Sequence, residues 1–284
     1  MREVQIVYEN KRVLPGETLI GKVYVKTDNL LECNKVVLKV KGREHTEYSS
    51  GDTKSTDERY HISRVFKIGE RGIIGIGVTE FPFSVQIPRG IPPSYQGYNG
   101  TIEYTTEAVV EMNWTIDPKC KKEFRVIQER PPIIKHNLDS RHFKKTCGAL
   151  QVEIDDDFLG MQSGLDVRFK VSDRSRVKGV SFEIVQQEKC KCDWHDLNHK
   201  SIIVGKYCPF SDNDLERWKE LSIGEQWMHH LPFRGELIHV SYYLKVALDI
   251  SLGFDPEIIA PLKFADEESI DDSFDKVEDN LDWF

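Results

Sequence analysis

The sequence lacks the features that would carry it into or across a membrane. No stretch approaches the about 18 uncharged apolar residues that a membrane-spanning helix needs. The first residues, MREVQIVYENKRVLPGE, are charged from Arg2 onward and contain no apolar core of a signal peptide. We therefore expect a cytoplasmic protein, in which the six cysteines are reduced thiols or metal ligands before they are disulfides.

The motifs of common enzyme active sites are also missing. The sequence contains no G-x-S-x-G elbow, no Walker phosphate loop and no H-E-x-x-H zinc motif. The glycine-rich run at residues 72–77 precedes a strand pattern instead of opening a helix, so we interpret it as a flexible loop. Asp155, Asp156 and Asp157 have the ligand type of calcium sites, but without further spaced ligands they indicate a solvated strand end. We predict no catalytic residue and no enzyme.

The body of the chain has no excess of basic charge. The whole chain carries a net charge of −8, and residues 266–284, with nine acidic residues and one lysine, account for all of it. A nucleic-acid surface needs clustered Lys and Arg, so we expect no nucleic-acid partner. The pattern predicts a neutral body followed by a separate acidic tail.

Apolar residues in this tail are spaced by four, three, four and three positions, which on a helix forms one apolar seam. The alternative is a disordered acidic tail, because a run of under about 20 residues is marginal as a free helix. If the seam is used, the tail either packs back on its own body or binds a partner. The seam residues are Ile270, Phe274, Val277, Leu281 and Phe284, and the candidate basic counter-surfaces are Lys119, Lys121, Lys122, Arg141, Lys144 and Lys145.

Over most of its length, the sequence alternates apolar and polar residues with a period of two. LDVRFKVSD (residues 165–173) and HVSYYLKVALDISL (residues 239–252) alternate apolar with polar residues, as half-buried strands do. Turn signals such as Pro15-Gly16 separate the strands. Only residues 212–221, with Leu215, Trp218 and Leu221, and the tail have a helical pattern. Many short strands with few helices predict an all-β fold of sandwiches.

A length of 284 residues and a proline-rich stretch near the middle predict two domains. Pro131-Pro132 cannot extend a strand ladder, so we expect a hinge there. Both halves begin with a strand, a turn containing glycine and a second strand, which resembles a weak internal duplication. The predicted units are a sandwich at residues 1–128, a linker at 129–146, a second sandwich at 147–265 and the tail at 266–284.

Specific stretches resemble the arrestin-like superfamily. VYENKRVLPGETLIGKVYV, near the start, is similar to the opening strands of the arrestin N-domain. Residues 81–112, with a Phe-Pro-Phe strand, a proline-rich turn and a tyrosine-containing strand, resemble α-arrestins, and residues 171–187 and 239–251 resemble strands of the arrestin C-domain. The resemblance covers nearly all of residues 1–265 and is closest to the α-arrestins, with the Vps26 retromer subunits second.

The resemblance implies two immunoglobulin-like antiparallel β-sandwich domains in tandem and a non-catalytic intracellular adaptor or scaffold. Such proteins bind membrane-protein tails and trafficking or signalling components, with a small GTPase as one candidate partner, and reach membranes through a partner. A retromer-like sorting subunit is the alternative within this class. A metal- or carbohydrate-binding β-sandwich is the alternative from another class. The resemblance does not extend to the phosphate-sensing basic residues of receptor-binding arrestins, which we cannot place in this sequence.

The motif Pro92-Pro93-Ser94-Tyr95 has the P-P-x-Y pattern that WW domains bind. It lies within the stretch that resembles the arrestin N-domain, where the resemblance implies a structural use. A strand of a folded domain is not free to adopt the polyproline II conformation of such ligands. We therefore expect Tyr95 to be part of the fold.

One cluster has the composition of a zinc site, since thiolates and imidazoles are the ligands that zinc prefers. A hairpin that turned near Leu197 would bring Cys208 opposite Gln186, about 13 Å from Cys190, and so exclude it. The spacing of the rest matches no known zinc finger, and we favour loop histidines and half-buried thiols without a cofactor. The candidate zinc ligands are Cys190, Cys192, His195 and His199.

Overall fold

A computed structural model describes residues 2–51, 53–113, 116–128, 143–154, 158–160, 165–173, 177–223, 231–251 and 255–265. Almost all of these residues lie in β-strands, which confirms the predicted all-β fold class. Strands such as Leu165–Val171 bury alternate residues, because one face of each lies against a second sheet.

The N-terminal half is built from strands that pair within that half only, in the part of the chain that the structure describes. Its strands are β1 (Arg2–Tyr8), β2 (Arg12–Val13), β3 (Thr18–Thr27), β4 (Leu31–Cys33), β5 (Lys35–Ser50), β6 (Thr53–Gly69), β7 (Gly72–Ile74), β8 (Gly77–Gln86), β9 (Tyr95–Gln96), β10 (Gly100–Glu111) and β11 (Lys119–Val126).

Two packed sheets form the N-terminal sandwich. One has the order β1-β3-β8, and the larger has the order β2-β11-β10-β5-β6, with β9 also paired to β10. All of these pairs are antiparallel except β2 with β11. Tyr8 joins the sheets, because its ring meets Phe83 at 6.3 Å and Phe124 at 6.2 Å between centroids. Its hydroxyl is 2.7 Å from that of Thr106, so the one polar atom of this contact is also satisfied.

The C-terminal half repeats this plan. Its elements are β12 (Phe143–Cys147), β13 (Leu150–Ile154), β14 (Phe158–Gly160), β15 (Leu165–Val171), β16 (Val177–Cys192), β17 (His195–Pro209), a 3₁₀ turn (Asp212–Asp214), β18 (Lys219–Ile223), β19 (Phe233–Arg234), β20 (Ile238–Ile250) and β21 (Glu257–Ala265).

The two sheets of this half have the orders β12-β13-β15-β18 and β14-β21-β20-β16-β17, and β19 also pairs with β20. β14 and β21 are parallel and the other pairs are antiparallel. Phe169 on one sheet meets Phe182 on the other at 4.9 Å between centroids, in the centre of the core. The two halves touch where β16 packs against β5 and β6.

The structure corrects three local predictions. Residues 212–221 do not form a helix, because Ser211 caps a single 3₁₀ turn and Lys219 then begins β18. The glycine-rich run 72–77 is not only a loop, since Gly72–Ile74 form β7 and pair with β4. Phe143 begins β12, so strand structure starts inside the segment 129–146 that we expected to be linker. The proposed domain boundaries themselves stay a prediction.

Among the described residues, no helix has the length and apolar character that crossing a membrane requires.

Candidate binding groove and the junction between the halves

A groove of about 990 Å³ lies on the N-terminal half beside the junction with the C-terminal half. The ends of β10 and β11, the short strand β2 and the segment that contains β9 form most of its walls, and Leu231 of the C-terminal half closes one side. The buried rings of Tyr104 and Phe124 lie beneath it. The groove carries five cations and two acids: Lys11, Arg12, Lys121, Lys122, Arg125, Glu103 and Glu123.

The alternation of β11 places these cations. Lys121 and Arg125 lie on its outward face and are exposed, whereas Phe124 and Val126 point into the core. Lys122 faces inward and is half-buried, where its ammonium donates to the carbonyl of Ile6 at 3.1 Å. The outward cations are therefore available to a ligand, while Lys122 is held by the fold.

The predicted counter-surfaces for the acidic tail divide between different parts of the molecule. Lys121 and Lys122 line the groove, and Lys119 lies 4.0 Å from Glu107 on the same sheet. Lys144 pairs with Glu153 in the C-terminal half, at 2.5 Å. Arg141 and the seam residues lie outside the described residues. The seam residues are Ile270, Phe274, Val277, Leu281 and Phe284.

Tyr95, the last residue of the P-P-x-Y motif, is buried at the end of the groove next to the junction. Its ring meets that of Phe233 of the C-terminal half at 5.0 Å, and its hydroxyl donates to Glu188 at 2.8 Å. Burial and the hydrogen bond to Glu188 both raise the pKa of Tyr95, so this hydroxyl stays a donor. The motif is thus built into the fold and its tyrosine is not presented to a WW domain.

Glu188 on β16 is one of two buried carboxylates that join the halves, and it is 2% exposed. Three of its donors belong to the N-terminal half: the Tyr95 hydroxyl, the backbone N–H of Tyr98 at 3.0 Å and that of Asn99 at 2.8 Å. The side-chain amide of Asn99 adds a fourth contact at 3.2 Å. These donors replace the water that the carboxylate has lost on burial.

Glu44 on β5 is the second buried carboxylate that joins the halves, and it is fully buried. It accepts from the backbone N–H groups of Glu236 at 3.0 Å, Leu237 at 2.9 Å and Ile238 at 2.6 Å, all in the C-terminal half. His61 Nε2, 2.8 Å away, carries the hydrogen of the fourth bond, since a carboxylate only accepts. Burial alone would raise the pKa of Glu44, but these hydrogen bonds outweigh it and the pKa lies below its usual value.

Sequence analysis missed both carboxylates, although a signal is present. Glu44 follows Val36, Leu38, Val40 and Gly42 on the inward face of β5, so a charge occupies an apolar position of the alternation. Such an inward charge indicates a partner brought by tertiary structure. The sequence does not indicate which partner it is.

The four candidate zinc ligands also lie at the junction, but the predicted hairpin turn is wrong. The chain turns at residues 193–194, so Cys192 pairs with His195, and Cys208 pairs with Val180, further from Cys190 than expected. Cys190 and Cys192 are buried, and burial raises the pKa of the Cys190 thiol.

The two histidines of that set are used in ring contacts between the halves. His195 meets Tyr48 at 4.1 Å between centroids, and His199 stacks on Tyr98 at 4.0 Å. Within the described ranges, no three His, Cys, Asp or Glu side chains are grouped so that they could hold a metal ion. Zinc binding by these residues stays the alternative that we did not favour, and it has no geometric support here.

Comparison with known proteins adds a second line of observation. The family model for "Arrestin (or S-antigen), N-terminal domain" matches residues 3–130. Arrestin domain-containing protein 17 of Caenorhabditis elegans is 25% identical over 221 residues, covering 66% of this chain and 52% of that protein. The chain therefore spans about half the length of this relative. The family model includes both N-terminal stretches on which the resemblance was based.

Proposed function

Because the chain is arrestin-like, with an arrestin N-terminal domain at residues 3–130, we propose that it is a non-catalytic intracellular adaptor that holds an acidic peptide segment of a protein partner in the basic groove. Arrestin-family proteins bind other proteins, which supports a protein partner. The tails of membrane proteins and of trafficking or signalling proteins are the candidate class. In this proposal the protein is cytoplasmic and reaches a membrane through its partner.

The convergence of cations on one groove is the observation that carries this proposal. Lys11, Lys121 and Arg125 form no ion pair with another residue of the described ranges, in contrast to the paired cations on strand β5 of the same sheet. Unneutralised cations around a concave surface attract an anionic segment and accelerate its association.

The acidic tail at residues 266–284 is the candidate occupant within the chain itself. It carries a net charge of −8, opposite to that of the groove, and its seam offers apolar contacts from Ile270, Phe274, Val277, Leu281 and Phe284. We propose that the tail competes with a partner peptide for the groove. Removal of the tail would then expose the groove to partners.

A labelled peptide of residues 266–284 tests this proposal by fluorescence anisotropy, with the full chain and with a chain that ends at residue 265. We expect the shortened chain to bind the peptide more tightly than the full chain. The double variant Lys121→Glu with Arg125→Glu should weaken binding at least tenfold, which corresponds to about 1.4 kcal/mol. Affinity should also fall as salt is raised, because exposed charges are screened.

Two exposed lysines of β16 that do not line the groove provide the matched control, Lys178→Glu with Lys189→Glu. This control should bind as the unchanged chain does. A scrambled peptide of the same composition separates the contribution of the seam from that of charge. Equal loss of binding in both double variants, or no binding by either form of the chain, would contradict the groove proposal.

A further inference from the structure

The two halves share one plan for their larger sheets. β2-β11-β10-β5-β6 with β9 on β10 corresponds strand by strand to β14-β21-β20-β16-β17 with β19 on β20. In each sheet the first pair is parallel and the rest are antiparallel. β5 is therefore the equivalent of β16, β9 of β19 and β10 of β20. This agreement strengthens the internal duplication that the sequence indicated only weakly.

The two buried carboxylates occupy equivalent positions in this plan. Glu44 pairs with Ile102 of β10, which in turn pairs with Tyr95 of β9. In the other half, Glu188 pairs with Val240 of β20, which pairs with Phe233 of β19. A glutamate thus stands at the same point of the same ladder in both halves.

Each glutamate reaches into the equivalent hairpin turn of the opposite half. Glu188 accepts from Tyr98 and Asn99, in the turn between β9 and β10. Glu44 accepts from Glu236, Leu237 and Ile238, at the turn between β19 and β20. The contacts are therefore reciprocal: each half provides one carboxylate and binds the carboxylate of the other half.

A glycine in each turn permits this close approach. A Cβ at Gly97 would overlap the carboxylate oxygen Oε2 of Glu188, and a Cβ at Gly235 would overlap Oε1 of Glu44. Gly97 and Gly235 follow β9 and β19 directly, so they are equivalent as well. The absence of a side chain at both positions allows each carboxylate to contact the backbone.

Equivalent residues also meet each other at the centre of the junction. The rings of Tyr95 and Phe233 are in contact at 5.0 Å between centroids. Two-fold dimers have this pattern, in which a residue on the axis contacts its own equivalent. The junction is therefore built as a two-fold interface within one chain.

We propose that Glu44 and Glu188 form a reciprocal clasp that holds the two halves in one relative orientation and opens as a single unit. A small rotation of one half would withdraw the amide donors from both carboxylates together and leave two buried carboxylates unsatisfied. Intermediate orientations are therefore disfavoured. Tyr95 belongs both to the clasp and to the groove, so opening the clasp changes the groove; this last step rests on the proposed function.

Hydrogen exchange of the full chain, followed by mass spectrometry, tests the clasp through effects that cross from one half to the other. Glu188→Gln should accelerate exchange at residues 98–99 at least tenfold, and Glu44→Gln should do the same at residues 236–238. Since the clasp opens as one unit, each variant should also accelerate exchange at the turn that it does not contact. Tyr95→Phe, which keeps the ring and removes one donor, provides a milder variant in case a glutamine variant folds poorly.

Glu183→Gln is the matched control, because Glu183 lies on the same strand as Glu188 with its carboxylate partly exposed and 3.8 Å from Lys245. The control should exchange as the unchanged chain does at both turns. Unchanged exchange in the glutamine variants, or acceleration confined to the turn that each contacts, would overturn the reciprocal clasp.

Binding of the labelled 266–284 peptide to the same variants tests the link to the groove. We expect its affinity to change at least threefold in Glu188→Gln and to stay unchanged in Glu183→Gln. Accelerated exchange with unchanged peptide affinity would overturn the link and leave the clasp standing. Failure of the chain to bind the peptide both with and without residues 266–284 would contradict the proposed function alone, because hydrogen exchange does not depend on the peptide.

Discussion

A carboxylate that is buried stays ionised only where hydrogen-bond donors replace the water it has lost. Glu44 has four donors within 3.0 Å, three of them backbone amides. Backbone amides cannot rotate away, so they present a fixed positive field to the charge. The interaction therefore depends on the ionised state of Glu44 and on the position of the opposite half.

This dependence predicts how the effect of Glu44→Gln on stability varies with pH. The pKa of Glu44 is lowered in the folded chain, so its stabilisation is complete above the ordinary carboxyl pKa of about 4.3 and is lost as pH falls through the lower folded value. At pH 7 we expect the variant to lose about 1.5–3 kcal/mol, the range for hydrogen bonds to a charged group. The difference should shrink below about pH 4.

Urea unfolding of both chains between pH 3 and pH 7 measures this difference. The titratable groups that face Glu44 are His61 at 2.8 Å, Tyr104 and Cys190, and Glu236 lies 3.8 Å from His61. Burial raises the pKa of Tyr104 and of Cys190, so both stay neutral across this range. Glu183→Gln should show no comparable change with pH. A difference that grows as the pH falls would contradict the ionised state assigned to Glu44.

The two faces of strand β5 carry different kinds of side chains. The outward face carries Lys39 and Arg43, which pair across the sheet with Glu107 at 3.2 Å and Glu103 at 3.3 Å. The inward face carries Leu38, which is fully buried, and Glu44. Exposed pairs gain little because water and salt screen them, whereas buried groups lose their contacts outright when they are truncated.

Substitutions on the two faces of β5 should therefore differ in magnitude. Arg43→Met should change the free energy of unfolding by less than about 1 kcal/mol, since it removes partly exposed ion pairs. Leu38→Ala should lower it by about 2–5 kcal/mol, because it leaves a cavity between the sheets. Urea unfolding at neutral pH measures both, and equal effects would contradict the assignment of inward and outward faces.

Alternation predicted the strands well, but it did not predict where the hairpin between β16 and β17 turns. Cys190 and Cys192 continue the inward face of β16, and the turn that follows consists of Asp193 and Trp194 without glycine or proline. Asp193 has a positive φ of 55°, a conformation that aspartate tolerates. The residues around Asp193 in the sequence do not predict a turn at this position. The expected turn near Leu197 was therefore wrong by several residues, and the partners of His195 and His199 could not be predicted.

At the scale of the whole molecule, the junction behaves as an interface between two folded sandwiches. Its polar contacts are concentrated on two carboxylates, and its ring contacts include Tyr95 with Phe233 and Tyr98 with His199. Thr46 also donates to the carbonyl of Lys191 at 2.7 Å across the halves. Such an arrangement specifies one orientation, because the donors and acceptors coincide only there.

A double-mutant cycle tests whether the two carboxylates act together. We expect the loss of stability in Glu44→Gln with Glu188→Gln to be smaller than the sum of the single losses by about 0.5–3 kcal/mol, because either change opens the same junction. Urea unfolding of the four chains gives the coupling. Glu44→Gln with Glu183→Gln should be additive within about 0.5 kcal/mol. Additivity in both pairs would show that the carboxylates act independently.

The sequence by itself determined the fold class and the plan of two sandwiches, because a period of two is local and one buried face suffices to impose it. It also identified Lys121 in a basic segment, but it did not identify Glu44 or Glu188 as charges at the junction. Only the tertiary structure decided which groups receive those charges. Glu188 meets donors about ninety positions away along the chain, and Glu44 meets donors more than one hundred and ninety positions away, at separations of 89 and 194 for the Asn99 and Ile238 amides. Contacts at such separations depend on how the two folded sandwiches pack against each other, and a local sequence pattern does not determine that packing.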